Sequence, residues 1–175
     1  TPAGYLNDSV PFTVSPSKIE AAVPIEKIDE IQSISVGTVD FSELDIGYNV
    51  FNFKASDITE YTITDSSARF KVTVNMTGLT SATFSVPQQN ISITTQKEGY
   101  SATVIAEPLE NIRIIGTTEE IAALTNEMIF AEVNLSEASL QEGEQTVKVR
   151  IVIKGSTKAW ASGTYSVRVR VTKGA

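Results

Sequence analysis

Two stretches near the carboxyl end decide the fold of this chain: Val147-Lys148-Val149-Arg150-Ile151-Val152-Ile153 and Tyr165-Ser166-Val167-Arg168-Val169-Arg170-Val171. In both, apolar side chains alternate with charged or polar ones almost without exception. This period of two is typical of a strand that buries one face and leaves the other in water. The two stretches therefore predict paired strands on a sheet with one solvated face.

The polar face of these strands carries Lys148, Arg150, Arg168 and Arg170. Such a stripe can face an anionic partner, for example teichoic acid, lipid head groups or an acidic protein surface. It can equally line the wet face of the sheet and guard its edge. Trp160 lies in the connection between the strands, either as an exposed contact residue or folded over the end of the core. These five residues form the predicted interaction surface.

The carboxyl-terminal pattern repeats an earlier one at offsets of 93 to 96 residues. Residues 25–31 align with 118–124, Val39–Glu43 with Val133–Glu137, Gly47 with Gly143, and the alternating strand 70–76 with 165–171. The offset changes only between periodic segments, where loops tolerate insertions. We therefore predict two tandem units, residues 1–78 and 79–175.

The sequence predicts the same order of elements in both units. This order is a strand, a proline, a second strand, a short helix, a third strand, a loop closed by glycine, and two alternating strands. The first-copy helix uses Ile25, Ile28 and Ile31 as its apolar face. The third strand ends in Val39-Asp40-Phe41-Ser42 or Val133-Asn134-Leu135-Ser136. Thr117 and Glu120 have capping-box spacing. Gly4-Tyr5 and Gly99-Tyr100 are predicted to begin the two units. Residues 79–97 add two strands, which are shared between the units or mark a trimmed first unit.

The predicted fold class is mainly β, a β-rich α+β arrangement of two small tandem repeats. Each repeat is a twisted antiparallel or mixed sheet with one short helix. The 175 residues are 41% hydrophobic, which is enough to form a buried core.

Composition excludes several functions. The chain has no cysteine and no histidine, so it lacks thiol nucleophiles, the commonest general base and the commonest zinc ligands. Its net charge of −7 argues against nucleic-acid binding. No apolar run is long enough to cross a bilayer. Because the chain opens without a methionine, we expect an anchoring or exporting segment to lie outside these residues.

Acidic side chains offer one alternative site. Asp40, Glu43 and Asp45 precede Gly47 and could bind Ca²⁺, although their spacing is not that of an EF-hand loop. The other interpretation is a strand end that runs into a capped turn, with Ser42 and Ser136 as the caps. No pair of carboxylates stands out as a catalytic pair. We therefore predict no catalytic residue, no metal site and no cofactor.

The run from Pro108 through an apolar strand to Gly116, a short helix, Val133-Asn134-Leu135-Ser136 and paired alternating strands resembles the YbbR-like repeat of Firmicute proteins. In the first copy, Val39-Asp40-Phe41-Ser42 has the aspartate-containing form that is usual in that family. Pro24 departs from the pattern, because it stands where a glycine equivalent to Gly116 is expected.

The resemblance implies a membrane-anchored or cell-surface location outside the cytoplasm, with an anchor that is absent from this chain. It implies a non-catalytic interaction or regulatory module whose partner is a protein, such as a membrane diadenylate cyclase. A structural stalk or adhesin-like surface domain is the alternative. Fold alone does not carry function.

Overall fold

The structure is a computed structural model that describes residues 1–5, 10–105 and 107–174. Its regular elements are almost all strands. They are β1 (Phe12–Ser15), β2 (Ala21–Ala22), β3 (Gly47–Lys54), β4 (Thr62–Ile63), β5 (Arg69–Met76), β6 (Thr80–Val86), β7 (Ile91–Thr95), β8 (Tyr100–Val104), β9 (Leu109–Gly116), β10 (Ile129–Asn134), β11 (Gly143–Ile153), β12 (Trp160–Ala161) and β13 (Tyr165–Lys173). One α-helix, α1 (Thr118–Ala123), and several short 3₁₀ turns complete the described chain. The mainly β class is therefore confirmed.

The strands form two sheets in each half of the chain. The first half has a three-stranded sheet in the order β1-β5-β3 and the ribbon β2-β4. The second half has a five-stranded sheet in the order β7-β10-β11-β13-β8 and a three-stranded sheet in the order β12-β9-β6. Strands β7 and β10 run parallel, whereas the other described pairs are antiparallel. No described strand pair crosses the boundary between residues 78 and 79.

Alternation along the strands explains which face is buried. In β13, Val167, Val169 and Val171 are buried, while Arg168 and Arg170 between them are exposed. Each fully buried aliphatic side chain of this size contributes about 1.5–3 kcal/mol. The period-2 prediction for this strand is confirmed.

The apolar core falls into three clusters. The largest lies wholly within the second half and includes Ile112, Ile129, Val133 and Val169. A small cluster around Phe70 lies in the first half. The third, called here the junction cluster, joins the halves and contains Leu44, Val72, Val74, Met76, Ile115 and Trp160.

Strand pairing recurs between the halves. The pair β3·β5 corresponds to β11·β13, β1 beside β5 corresponds to β8 beside β13, and β2·β4 corresponds to β9·β12. The turns recur as well. The Asp40 carboxylate accepts a hydrogen bond from the Ser42 amide at 2.7 Å, and the Asn134 side chain accepts one from the Ser136 amide at 3.0 Å. The division into units 1–78 and 79–175 stays a prediction, because the junction cluster draws residues from both sides.

Residues 79–97 provide strands β6 and β7, which pair with β9 and β10 of the second half. They have no described partner in the first half. Among the described residues they therefore belong to the second half alone.

Three details of the first copy differ from expectation. Ile25–Lys27 is a 3₁₀ turn, and Ile25 and Ile28 are exposed, so the expected apolar helix face is absent. No strand leads to Val39, because Val36 and Val39 pack against the junction cluster instead of pairing with a neighbour. Tyr5 lies in a 3₁₀ turn, where its ring packs on Phe41 and Trp160, and the first strand starts only at Phe12.

Candidate interaction surface

The cationic stripe lies on the outer face of the β11·β13 pair, as alternation predicts. Lys148 is opposite Ser166, while Arg168 is opposite Thr146 and Arg170 is opposite Glu144. Arg150 follows two residues after Lys148 on β11, and all four cations are exposed. The structure therefore places the four cations on one face.

Two of these cations are neutralised by neighbouring carboxylates. Arg170 contacts Glu144 at 2.6 Å, and Arg168 contacts Glu107 at 2.6 Å and Glu144 at 4.0 Å. The hydrogen bond from Arg170, helped by its charge, lowers the pKa of Glu144. Arg168 and Arg170 therefore fit the interpretation of an ion-paired, solvated sheet face.

Lys148 and Arg150 differ from their neighbours. Neither makes an ion pair within the part of the chain that the structure describes. Both line a groove of about 680 Å³. The positive charge that remains available on the stripe is concentrated at this groove.

The groove lies at the junction of the two halves. One wall is the run Lys148–Ile153 of β11, and the other walls include Trp160, Tyr165 and the first-half turn Asp40–Ser42. Strand β13 pairs with β11 only as far as Val149, and β10 pairs with residues 150–153 on the opposite side. The backbone of residues 150–153 therefore borders the groove without a described neighbouring strand on that side.

Trp160 borders the groove but is largely buried, so its place among the interaction residues stays a prediction. Its side chain is 5% exposed, and its indole N–H donates to the Leu44 carbonyl at 3.4 Å. Tyr5 and Phe41 pack edge-on against it, with ring centroids 5.8 and 5.3 Å away. The packing interpretation of this residue is confirmed, because the apolar ring is more stable in the junction cluster than in water.

Two residues that the sequence did not indicate position the groove. The Tyr165 hydroxyl donates to the Ser162 carbonyl at 2.6 Å and accepts from the Arg113 amide at 2.9 Å. The Arg113 guanidinium bonds Asp45 of the first half at 2.6 Å. Arg113 lies in an apolar strand, and nothing in its local pattern points to a contact with the first half.

Two of the acidic residues before Gly47 are engaged, Asp40 with Ser42 in its own turn and Asp45 with Arg113 of the second half. Hydrogen bonds from Ser42 lower the pKa of Asp40, and hydrogen bonds from Arg113 and the Ile46 amide lower the pKa of Asp45. Across residues 1–5, 10–105 and 107–174, no group of three acidic side chains is placed to hold a metal ion. The capped turns are present, but their caps are Asp40 and Asn134, which accept from the amides of Ser42 and Ser136, and not Ser42 and Ser136 as expected.

The fold and the groove define a mainly β protein with a cationic cleft between its halves. No protein-family model matches the chain, and no curated protein matches it. The chain is similar to the crystal structure of the YbbR-like domain of the lmo2119 protein from Listeria monocytogenes. The two are 18% identical, the match covers 54% of this chain and 94% of that domain, and the TM-score is 0.33. That domain is of the kind that the sequence resembles.

None of the described helices is both long enough and apolar enough to cross a bilayer.

Proposed function

We propose that this chain is a non-catalytic interaction and regulatory module of YbbR-like type that acts outside the cytoplasm through protein contacts. One observation carries the proposal: Lys148 and Arg150 are exposed beside a groove between the halves and make no ion pair with any residue that the structure describes. Their neighbours Arg168 and Arg170 are paired with carboxylates. The groove therefore favours an acidic segment of a partner protein.

The shape of the groove supports an extended segment. The backbone of residues 150–153 faces it without a described neighbouring strand, so a peptide can add its own hydrogen bonds there. Ile151 and Ile153 border the groove through their backbone, while their side chains lie on the face of β11 opposite Lys148 and Arg150 and pack against the second-half core. Backbone pairing gives affinity in this mode, and the two cations select for acidic side chains.

The test is a charge reversal at the groove, Lys148→Glu together with Arg150→Glu. The probe is the membrane diadenylate cyclase that the family resemblance suggests, reconstituted in vesicles, with binding and cyclisation rate measured at two salt concentrations. We expect affinity to fall at least tenfold in the double variant, because steering and pairing both reverse sign. Added salt should weaken the binding of the unmodified chain.

A matched control carries the same change of charge at exposed sites away from the groove, Lys18→Glu together with Lys173→Glu. This control should bind as the unmodified chain does. Equal binding by both double variants would remove the groove from the proposal. A cyclase that ignores the unmodified chain would remove that partner.

A structural stalk or adhesin-like domain is the second candidate, and the junction favours it. Hydrogen bonds from Gly163 to the Ser42 carbonyl and from Ser162 to the Leu44 carbonyl, at 2.8 and 3.1 Å, tie the halves together. A stalk needs such a fixed connection. It would tolerate Lys148→Glu and Arg150→Glu without loss, whereas a regulatory module would not.

A further inference from the structure

The outer face of the first-half sheet is apolar where its counterpart in the second half is charged. Tyr48 and Val50 of β3 point to solvent and are 71% and 48% exposed. Ile46, just before the strand, is exposed as well. The corresponding positions in β11, at the offset that aligns Gly47 with Gly143, are Glu144 and Thr146. An exposed apolar patch of this kind marks a contact surface more often than a solvated one.

The same strand forms an open edge of its sheet. Strand β5 pairs with the whole of Gly47–Lys54 on one side, and the sheet order β1-β5-β3 leaves the other side without a described strand. The corresponding strand β11 has a neighbour on each side, β10 and β13. An uncovered edge presents unpaired backbone groups that can pair with another strand.

Charge is graded along this edge. Glu43 precedes the strand and makes no ion pair within the described residues, Asp45 is already bonded to Arg113 at 2.6 Å, and Lys54 ends the strand. On the same outer face, β5 places Arg69 opposite Lys54 and Lys71 opposite Asn52. One end of the surface is therefore acidic and the other basic. Antiparallel pairing of two copies would bring the opposite ends together.

We propose that β3 pairs edge to edge with β3 of a second copy of this chain, antiparallel and centred on Val50. This register pairs seven strand residues of each copy and keeps their outward side chains on the same face, since a shift of one residue would turn them inward. A register centred on Phe51 pairs as many residues, but the one centred on Val50 brings Lys54 next to the acidic residues that precede the strand. Val50 then faces its own counterpart, Tyr48 faces Asn52, and Lys54 lies beside Ile46 and Asp45. The result is a two-fold symmetric sheet with three strands from each copy.

The strand itself supplies both sides of this contact. In this register the apolar centre of β3 in one copy lies beside the apolar centre of β3 in the other. The acidic residue before the strand in one copy lies near the basic end of the strand in the other. A single strand pair buries less than the roughly 1,000 Å² of a stable interface. We therefore expect a weak dimer with a dissociation constant in the range of about 10 µM to 1 mM. This contact uses a different surface from the groove and does not depend on the proposed function.

Sedimentation equilibrium of the full chain tests the pairing. The unmodified chain should show a concentration-dependent rise from 18.9 kDa toward twice that mass. Val50→Lys and Val50→Glu should each weaken the dimer at least tenfold, because like charges then face each other across the symmetry axis. An equimolar mixture of the two variants should associate again, because opposite charges then meet at the same place.

The matched control is Thr146→Lys, which adds the same charge at the corresponding exposed position of the second half. It should leave the dimer unchanged, and circular dichroism should show that all variants remain folded. A chain that stays monomeric up to about 1 mM would overturn the proposal. So would a dimer that Val50→Lys leaves intact, or one that the mixture fails to restore.

Discussion

The ion pair between Asp45 and Arg113 connects the two halves at a solvent-facing site. The guanidinium contacts the carboxylate at 2.6 Å, and the Ile46 amide donates to the same carboxylate oxygen at 2.6 Å. These bonds favour the ionised form and lower the pKa of Asp45. The folded protein therefore binds this proton less tightly than the unfolded chain does.

This pKa shift predicts a pH dependence for Asp45→Asn. Because the folded pKa is depressed, the stabilisation is fully present above the ordinary carboxyl value of about 4 and is lost as the pH falls through the lower folded value. The variant should lose about 0.2–1 kcal/mol at pH 7, the usual range for an exposed pair. The difference from the unmodified chain should shrink below pH ~4. Urea unfolding at pH 7 and pH 3 measures both differences.

Asp29→Asn provides the control for this experiment. Asp29 is exposed and makes no ion pair within the described part of the chain. Its substitution should change the stability little at either pH. If Asp45→Asn behaves in the same way, the ion pair does not stabilise the junction.

For Trp160, the sequence left two roles open, an exposed contact residue or a buried packing residue. The sequence marked it as an anchor in either of two roles, and burial in the junction cluster decided between them. Its hydrogen-bond acceptor, the Leu44 carbonyl, is 116 residues away along the chain. Local pattern cannot report a contact of that separation.

At the scale of elements, alternating strands were the most predictable part of the fold. Strands β5, β11 and β13 cover the segments in which period-2 alternation predicted strands. In a strand the pattern directly records which face is buried, so local sequence is sufficient. The existence of the two capped turns was also predictable, although the capping side chains are Asp40 and Asn134 and not Ser42 and Ser136.

Short elements of the first half were not predictable in this way. Ile25 and Ile28 share a helical spacing, yet both are exposed. A three-residue turn has no cooperative hydrogen bonding of its own, so tertiary packing decides whether a helix extends. Here the structure shows no apolar surface covering the two isoleucines.

Only one of the two hydrogen bonds of the capping box predicted for Thr117 and Glu120 is present at helix α1. Thr117 accepts a hydrogen bond from the Glu120 amide at 3.2 Å, as the spacing predicts. The Glu120 carboxylate does not return to Thr117. It accepts from the amides of Thr157 and Lys158 at 3.1 Å each, and so holds the segment between β11 and β12 against the helix.

Glu120→Ala should therefore loosen that segment. Two amides lose a charged acceptor, which costs about 1–3 kcal/mol for bonds of this kind. Glu120→Gln should cost less, because one acceptor oxygen remains. Hydrogen exchange at Thr157 and Lys158, together with urea unfolding, measures the effect.

Glu119→Ala is the matched control on the same helix. Glu119 is exposed and makes no described contact with residues 157–158. Its substitution should leave hydrogen exchange at those amides unchanged. Equal exchange in the two alanine variants would show that the carboxylate does not hold the segment.

At the scale of the whole molecule, the sequence predicted which residues form the cationic stripe but not which of them are ion-paired. The stripe of four cations follows from alternation alone. The pairing of Arg168 and Arg170 with Glu107 and Glu144 depends on how β8, β11 and β13 lie together. The groove beside Lys148 and Arg150 depends on the junction of the halves, which no local pattern records.

The distribution of the three core clusters indicates that the two halves differ in stability when they are separated. The largest cluster lies entirely in the second half, whereas the first half contributes a small cluster and a share of the junction cluster. A unit that buries a larger apolar core retains more stability when it stands alone. The second half should therefore be the more autonomous unit.

We predict that a fragment of residues 79–175 folds cooperatively by itself and that a fragment of residues 1–78 does not. The second-half fragment should be less stable than the full chain, because Ile115 and Trp160 lose the first-half residues that cover them. Trp160 is the only tryptophan, so its fluorescence reports this exposure directly. We expect a red-shifted emission in the fragment and a sigmoidal urea transition at a lower midpoint.

Mixing the two fragments gives the complementary test. If the junction cluster is an interface between two units, adding residues 1–78 should shift the Trp160 emission back toward that of the full chain. A second-half fragment without a cooperative transition would show that the junction cluster belongs to one undivided core. The boundary between residues 78 and 79 would then mark a change of sheet and not a change of folding unit.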